Sequence, residues 1–383
     1  MNSKTILSTP AHINWIDFAR VVACFLVVLA HCCDPFVARF DDNPVEFLSG
    51  AAWGSAVRPC VPLFVMISGV LLLPVNMDTH TFYKKRLTRI IAPLVFWGIV
   101  TPILYYGYVN SGVQPTNLNL ADYTTSEMLV KILTFPLNFN YDIIPLWYLY
   151  MLIGLYLFMP IITPWLQSAT KKDLKLFLYI WGFTMVVPYL QMAAPLLGYK
   201  GNYGNMGLFG VVDWNAFGTF YYFSGFLGYL VLAFYLKKYP LGWSWGKTWA
   251  VAAPLYIVGY CITYFGFVLT QKYYPGSYAQ LEIIWYFYGL NVFMMTIAAY
   301  ILLQKVNIKN VRWAKAFAYV AKLTFGIYLC HFLLVQIGYD FVYNTIPVAP
   351  ALQIPIIAVL AFTASAIVVL LLSKLPKSKY IIG

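Results

Sequence analysis

Two ionisable residues interrupt one long apolar segment near the start of the chain. Residues 20–31 read RVVACFLVVLAH, with Arg20 at one end and His31 at the other. Eleven residues of α-helix advance the chain by about 16 Å in roughly three turns, so the two side chains share one helix face. Asp17 and Asp34 each lie three residues outside this pair, on about the same face. The pattern predicts a polar stripe along an otherwise apolar helix.

The chemistry that this stripe could support is proton transfer. An imidazole that titrates near neutral pH is suited to act as a general base, which makes His31 the candidate catalytic residue and Asp34 the group that could orient its ring. A charged side chain inside a membrane usually faces a bundle interior or an aqueous cavity, so Arg20 is expected to face inward. His331, with Tyr328 on the same helix face, could reach the same cavity from another helix.

The composition predicts an all-α, polytopic membrane bundle. Of 383 residues, 61% are hydrophobic and 10% charged, far from the balance of a soluble domain. Apolar runs of roughly 20 residues, enough to cross a bilayer, recur along the whole chain. We predict one membrane domain over residues 1–383, without a fused extracytoplasmic hydrolase-like domain, and about ten spans: 13–33, 59–76, 90–110, 145–167, 175–196, 214–236, 248–270, 282–304, 317–340 and 351–373.

The charges predict an orientation. The net charge is +12, but the basic residues recur at alternate loops, which is typical of membrane topology rather than of nucleic-acid binding. Placing the N-terminus in the cytoplasm assigns nineteen of the 25 basic residues to the cytoplasmic side and five to the outer side. Both termini are then cytoplasmic. The six cysteines lack metal-ligand spacing and no metal site is expected, while a disulfide from Cys32 or Cys33 to Cys60 stays open.

A basic cluster precedes the third predicted span. In FYKKRLTRI (82–90), Arg86 and Arg89 are three residues apart and would share a face if the helix begins early. Paired guanidinium groups suit phosphate recognition because each presents a planar fork of donors. The same cluster is also typical of a simple topology signal at a helix entry.

Several segments together resemble one family. They are R-x10-H in the first span, PLFVMISGVLLL (62–73), RLTR (86–89), RIIAPLVFW (89–97), LWYL (146–149) and GIYLCH (326–331). In this order they resemble the acyltransferase 3 family of integral-membrane O-acyltransferases, of the type that modifies bacterial surface polysaccharides. The resemblance implies transfer of an acyl group, often acetyl, from cytoplasmic acyl-CoA to a hydroxyl of an extracytoplasmic saccharide or lipid-linked glycan.

The resemblance also implies residue roles. His31 matches the family's essential histidine, Arg20 its arginine, and Arg86 with Arg89 the pair that holds the donor's phosphates. Trp147 and Tyr148 fall in the family's tryptophan motif, although Pro145–Leu146 stands where a histidine is often found. Acyl-CoA is expected as donor substrate, with no permanently bound cofactor, and the expected location is the bacterial cytoplasmic (inner) membrane.

Further substrate contacts are expected from Tyr328, His331 and Glu282, the last at an outer helix end where its carboxylate could hold a sugar hydroxyl. A covalent acyl-histidine fits the sequence as well as direct transfer does. Two rival classes stay open. A transporter or flippase of a glycan or lipid intermediate would use the same inward charges, and a polyprenyl-phosphate-sugar glycosyltransferase would use Asp41 or Asp42 as its base.

Overall fold

The chain folds as a bundle of helices. The computed structural model describes residues 14–137, 140–199, 207–212, 215–276 and 278–383, and the side chains of residues 14, 278, 279 and 282 lie outside that description. Within these ranges there is no β-strand, apart from one isolated bridge between Val212 and Asn215. Nine helical segments of the described chain are long and apolar enough to cross a membrane. The predicted all-α, polytopic class is therefore confirmed.

Fifteen α-helices make up the described chain. They are α1 (Asn14–Val37), α2 (Pro44–Ala56), α3 (Cys60–Leu72), α4 (Thr79–Val109), α5 (Thr125–Thr134), α6 (Trp147–Ser168), α7 (Lys171–Thr184), α8 (Val187–Ala193), α9 (Leu227–Lys238), α10 (Trp245–Tyr273), α11 (Tyr278–Trp285), α12 (Leu290–Leu303), α13 (Val311–Thr345), α14 (Pro350–Leu372) and α15 (Lys379–Ile382).

The prediction of a continuous span over 214–236 was wrong. The described part of this segment forms a 3-10 turn at Gly218–Phe223 followed by the twelve-residue α9. Gly225, between them, has a φ of +83°, a left-handed conformation that a helix cannot continue through. Twelve helical residues reach about 18 Å, well short of the roughly 30 Å of hydrocarbon.

The predicted span 59–76 is longer and broken. A single apolar segment, Pro44–Leu72, consists of α2 and α3 separated by a turn at residues 57–59. Pro59 accounts for the break, because proline has no backbone N–H and disfavours helical geometry in the residue before it. The break places Arg58 between two helices, where sequence analysis had placed it in an outer loop.

Helix α1 lies at the centre of the bundle. It packs against α2, α3, α12, α13 and α14, and its buried residues join the main hydrophobic core. All six cysteines are free and five of them are buried, so the pairing of Cys60 that was left open is not formed. The central position explains how the polar face of α1 can line internal cavities on several sides.

Candidate active site

His31 and Asp34 form a hydrogen-bonded pair in the second half of α1. The Nδ1 atom of His31 lies 2.9 Å from Oδ2 of Asp34, as expected for residues three apart on one helix face. The ionised carboxylate can only accept, so the pair favours the tautomer with a proton on Nδ1. The Nε2 atom then carries the free lone pair and is the ring atom able to accept a proton.

His331 on α13 lies next to His31. Their ring centroids are 5.3 Å apart, so the structure brings together the two histidines that the sequence paired. Nδ1 of His331 donates to the Tyr328 carbonyl at 2.6 Å. The ring is fully buried, and its Nε2 has no hydrogen-bond partner in the described residues. His331 therefore packs behind the His31 ring and lines neither of the two cavities described below.

One cavity of about 510 Å³ collects positive charge and is here named the arginine cavity. It is lined by Arg20 of α1, Arg86 and Arg89 of α4 and Lys322 of α13, together with apolar side chains of α3 and α6. Among its described lining residues there is no Asp or Glu side chain. Such a cavity attracts an anion carrying several negative charges.

The early start of α4 explains why the two arginines converge. The helix begins at Thr79, eleven residues before the predicted span, where Asp78 accepts a hydrogen bond from the Thr81 backbone N–H at 2.9 Å. This bond lowers the pKa of Asp78 and caps the helix. Arg86 and Arg89 consequently lie within regular helix, three residues apart, and both reach the cavity. The Nε atom of Arg86 is buried without a hydrogen-bond partner in the described residues.

A second cavity of about 470 Å³ contains His31 and Asp34 and is here named the histidine cavity. Many of its other lining side chains are aromatic, including Trp147, Trp285 and Phe332. Trp147 stacks on Phe287, with ring centroids 5.7 Å apart and planes at 17°. A titratable pair beside aromatic side chains in a cavity is a typical setting for a small polar substrate.

Two tyrosines separate the cavities. Tyr148 of α6 and Tyr328 of α13 line both of them, and their ring centroids are 5.6 Å apart. The Tyr328 hydroxyl donates to the Pro145 carbonyl, which fixes this ring against the segment preceding α6. The two rings thus form a shared wall, with Arg20, Arg86, Arg89 and Lys322 on one side and His31 on the other.

The structure adds residues that the sequence did not single out. Arg58 and Gln271 line the histidine cavity, and Lys322 lines the arginine cavity. The one local signal was the order Arg-Pro at 58–59, since a proline after an arginine inside an apolar segment marks a helix break. The Glu282 side chain lies outside the described residues. Asp41 and Asp42, the candidate bases of a glycosyltransferase, are exposed and line neither cavity.

The fold is that of a polytopic membrane protein with a cationic cavity next to one that contains a histidine–aspartate pair. A family model described as an acyltransferase domain matches residues 13–373, nearly the whole chain. The chain therefore belongs to the acyltransferase 3 family and is a membrane acyltransferase. Comparisons with curated proteins and with solved structures found no match.

Proposed function

We propose that this acyltransferase moves an acyl group, in the simplest case acetyl, from acyl-CoA in the arginine cavity to a hydroxyl of a saccharide or lipid-linked glycan in the histidine cavity. The observation that carries the proposal is the shared wall of Tyr148 and Tyr328 between a cationic cavity and one that holds a base. Two substrates entering from opposite sides would meet at these rings.

The donor side rests on charge and shape. Coenzyme A carries a diphosphate and a ribose phosphate. Four cationic side chains line the arginine cavity, and no Asp or Glu side chain is among its described lining residues. Arginine forks bind phosphate oxygens in pairs. The unpartnered Nε of Arg86 is a donor available for such a bond. The pantetheine arm would then extend toward Tyr148 and bring its thioester to the wall.

The chemical step uses the free lone pair of His31. The acceptor hydroxyl attacks the thioester carbonyl carbon while His31 Nε2 takes the hydroxyl proton. The tetrahedral intermediate then breaks its carbon–sulfur bond, and the thiolate leaves with the proton from the imidazolium, so that an ester and free CoA result. General-base catalysis of this kind contributes roughly 10²–10⁴ in rate. Asp34 orients the ring and stabilises its positive charge.

The acceptor side rests on the aromatic lining. A flat face such as that of Trp147 suits the apolar face of a sugar ring, and His31 lines the same cavity. Glu282 stays a predicted sugar contact. In the orientation that the sequence predicts for the first helices, Arg86 and Arg89 lie at a cytoplasmic helix entry. The arginine cavity would then open to the cytoplasm and the histidine cavity to the outside. Such an orientation in the bacterial inner membrane supplies acyl-CoA from within and glycan from without.

The catalytic half of the proposal is tested with labelled acetyl-CoA and purified protein in lipid. His31→Ala should abolish hydrolysis of acetyl-CoA, whereas wild type retains it. His80→Ala is the matched control, because His80 is an exposed histidine at the start of α4 and lines neither cavity. Full activity of the His31 variant would overturn the assignment. Label that stays on wild-type protein but not on the variant would favour an acyl-histidine intermediate.

The donor half is tested by CoA binding in the absence of an acceptor. Arg86→Ala combined with Arg89→Ala should weaken binding by roughly tenfold or more, since hydrogen bonds to charged groups contribute ~1.5–3 kcal/mol each. Lys84→Ala combined with Lys85→Ala removes the same charge from the same helix outside the arginine cavity and should leave the affinity nearly unchanged. Equal losses in both double variants would contradict a specific phosphate site, and no CoA binding by wild type would refute acyl-CoA as the donor.

A further inference from the structure

The histidine cavity contains a second pair of polar side chains that the proposed acyl transfer does not use. Arg58 enters from the break between α2 and α3, and Gln271 enters from the last turn of α10. Neither belongs to the hydrogen-bonded pair of His31 and Asp34. Together they place a cation and an amide in the cavity that would hold the acceptor.

Arg58 is held in place by one hydrogen bond and two aromatic contacts of the described residues. Its Nε donates to the Gly54 carbonyl at 2.9 Å, one of the carbonyls that lose their helical partner at the end of α2. Its guanidinium carbon lies 4.0 Å from the ring centroid of Trp285 and 5.4 Å from that of Phe287. A guanidinium has five N–H donors, so this contact with Gly54 uses only one of them.

No carboxylate of the described residues compensates this charge. None lies within ion-pair distance of Arg58, and the one acid among the described lining residues, Asp34, is bonded to His31. A partly buried guanidinium fixed on an aromatic face, with its fork free in a cavity, is a typical anion-binding group. The fork geometry suits a carboxylate or a phosphate oxygen pair.

Gln271 supplies an independent observation that points to a ligand. Its side chain is only 7% exposed, yet neither its Oε1 nor its Nε2 has a hydrogen-bond partner in the described residues. A buried amide without partners costs free energy, and such groups are nearly always satisfied in folded proteins. One oxygen acceptor and two N–H donors match the hydroxyl or acetamido groups of a sugar ring.

We infer that Arg58 and Gln271 form the acceptor-recognition subsite and that the acceptor is an anionic saccharide, with its carboxylate or phosphate on Arg58 and an adjacent polar substituent on Gln271. The inference rests on the proposed function for the identity of the histidine cavity as the acceptor side. A cavity of about 470 Å³ falls in the usual range for a small ligand. The aromatic walls leave the polar contacts of the sugar to these few groups.

The test measures acceptor binding without any acyl donor, so that its outcome does not depend on acyl transfer. Isothermal titration of purified protein in lipid nanodiscs would compare uronic-acid oligosaccharides with the same oligosaccharides after carboxyl reduction. A second arm compares glucose 1-phosphate with glucose and identifies which anion the site prefers. In at least one arm, wild type should bind the anionic probe roughly tenfold or more tightly than its neutral match.

Variants assign the preference to the two residues. Arg58→Gln should remove the preference for the anionic probe, Arg58→Lys should retain part of it, and Arg39→Gln should leave it unchanged. Arg39 is the matched control because it pairs with Asp42 and Glu46 and does not line the cavity. Gln271→Leu should weaken the binding of anionic and neutral sugars alike. It should leave the thermal stability of the protein equal to that of wild type or higher, because it removes an amide without hydrogen-bond partners in the described residues.

Three results would overturn the inference. The first is equal affinity of wild type for anionic and neutral probes in both arms. The second is a preference for the anionic probe that is unchanged in Arg58→Gln. The third is a loss of thermal stability in Gln271→Leu as large as that of a core substitution. The comparison of probes on wild type needs no variant, so the test holds even if Arg58→Gln fails to fold. A different result would refute the proposed acyl transfer alone. It is that wild type binds the anionic probe but shows no His31-dependent turnover of acetyl-CoA; the anion-binding role of Arg58 and Gln271 would then be retained.

Discussion

Replacement of Asp34 tests how the structure prepares His31 for catalysis. The carboxylate is 2.9 Å from Nδ1 of the ring and holds the proton on that atom, which leaves Nε2 free. Asp34→Ala removes the orienting group. Asp34→Asn keeps the shape, but its amide can donate to Nδ1 and so favour the opposite tautomer, with the proton on Nε2.

The size of the effect follows from the exposure of the pair. The His31 side chain is 18% exposed and the Asp34 side chain 46%, so solvent weakens their interaction. A hydrogen bond to a charged group contributes ~1.5–3 kcal/mol, and the exposure favours the lower end. About 1.5 kcal/mol corresponds to roughly tenfold in rate, which we expect for Asp34→Ala. We expect a larger loss of rate for Asp34→Asn. Its upper limit is the loss of rate in His31→Ala, roughly 10²–10⁴-fold.

The assay is acetyl transfer or acetyl-CoA hydrolysis by purified protein in lipid, with kcat and KM for acetyl-CoA determined separately. The loss should appear in kcat, because Asp34 does not line the arginine cavity. Asp42→Asn is the control: this acid lies near the same end of α1, its side chain is 75% exposed, and its ion pair is with Arg39, outside both cavities. It should behave as wild type.

Two results would refute this reasoning. If both Asp34 variants keep kcat within about twofold of wild type, the carboxylate does not orient the base. If the loss is confined to KM for acetyl-CoA, Asp34 acts on donor binding and the assignment of the two cavities is wrong.

Three further changes probe the wall and the packing that supports the site. Tyr148→Ala should join the two cavities and raise acetyl-CoA hydrolysis without an acceptor, measured as CoA release. Gly228→Ala should lower stability by about 1–3 kcal/mol or more through overpacking, because a Cβ there would lie 2.0 Å from the buried Trp181 ring; thermal unfolding in detergent measures it. Lys131→Met should cost about 3 kcal/mol in the same assay, since it leaves the fully buried Asp142 carboxylate without its ion pair.

Matched variants give these three predictions their controls. Gly154→Ala introduces a Cβ that meets no atom within 4 Å and should be neutral, so equal losses at the two glycines would contradict the packing argument. Lys131→Met combined with Asp142→Leu should recover stability if the cost is an unpaired charge. Unchanged hydrolysis in Tyr148→Ala would mean that this ring does not seal the donor side from water.

The sequence by itself determined the class of fold and the position of the base along α1. Apolar runs of membrane length require helices, since only they satisfy their own backbone groups in lipid, and helical periodicity alone places Arg20, His31 and Asp34 on one face. The same local rule places Arg86 and Arg89 together. These inferences needed only the geometry of a single helix.

Only the tertiary structure decided which of these side chains line the same cavity. Packing of α1, α6 and α13 placed Tyr148 and Tyr328 between two cavities, although 180 residues separate them in the chain. The packing of α10 and α11 beside the break between α2 and α3 placed Arg58 on Trp285. It also left the Gln271 amide in the same cavity without a hydrogen-bond partner in the described residues. The mistaken span at 214–236 has the same origin, because hydropathy reports burial and cannot tell a membrane crossing from a short helix buried within the bundle.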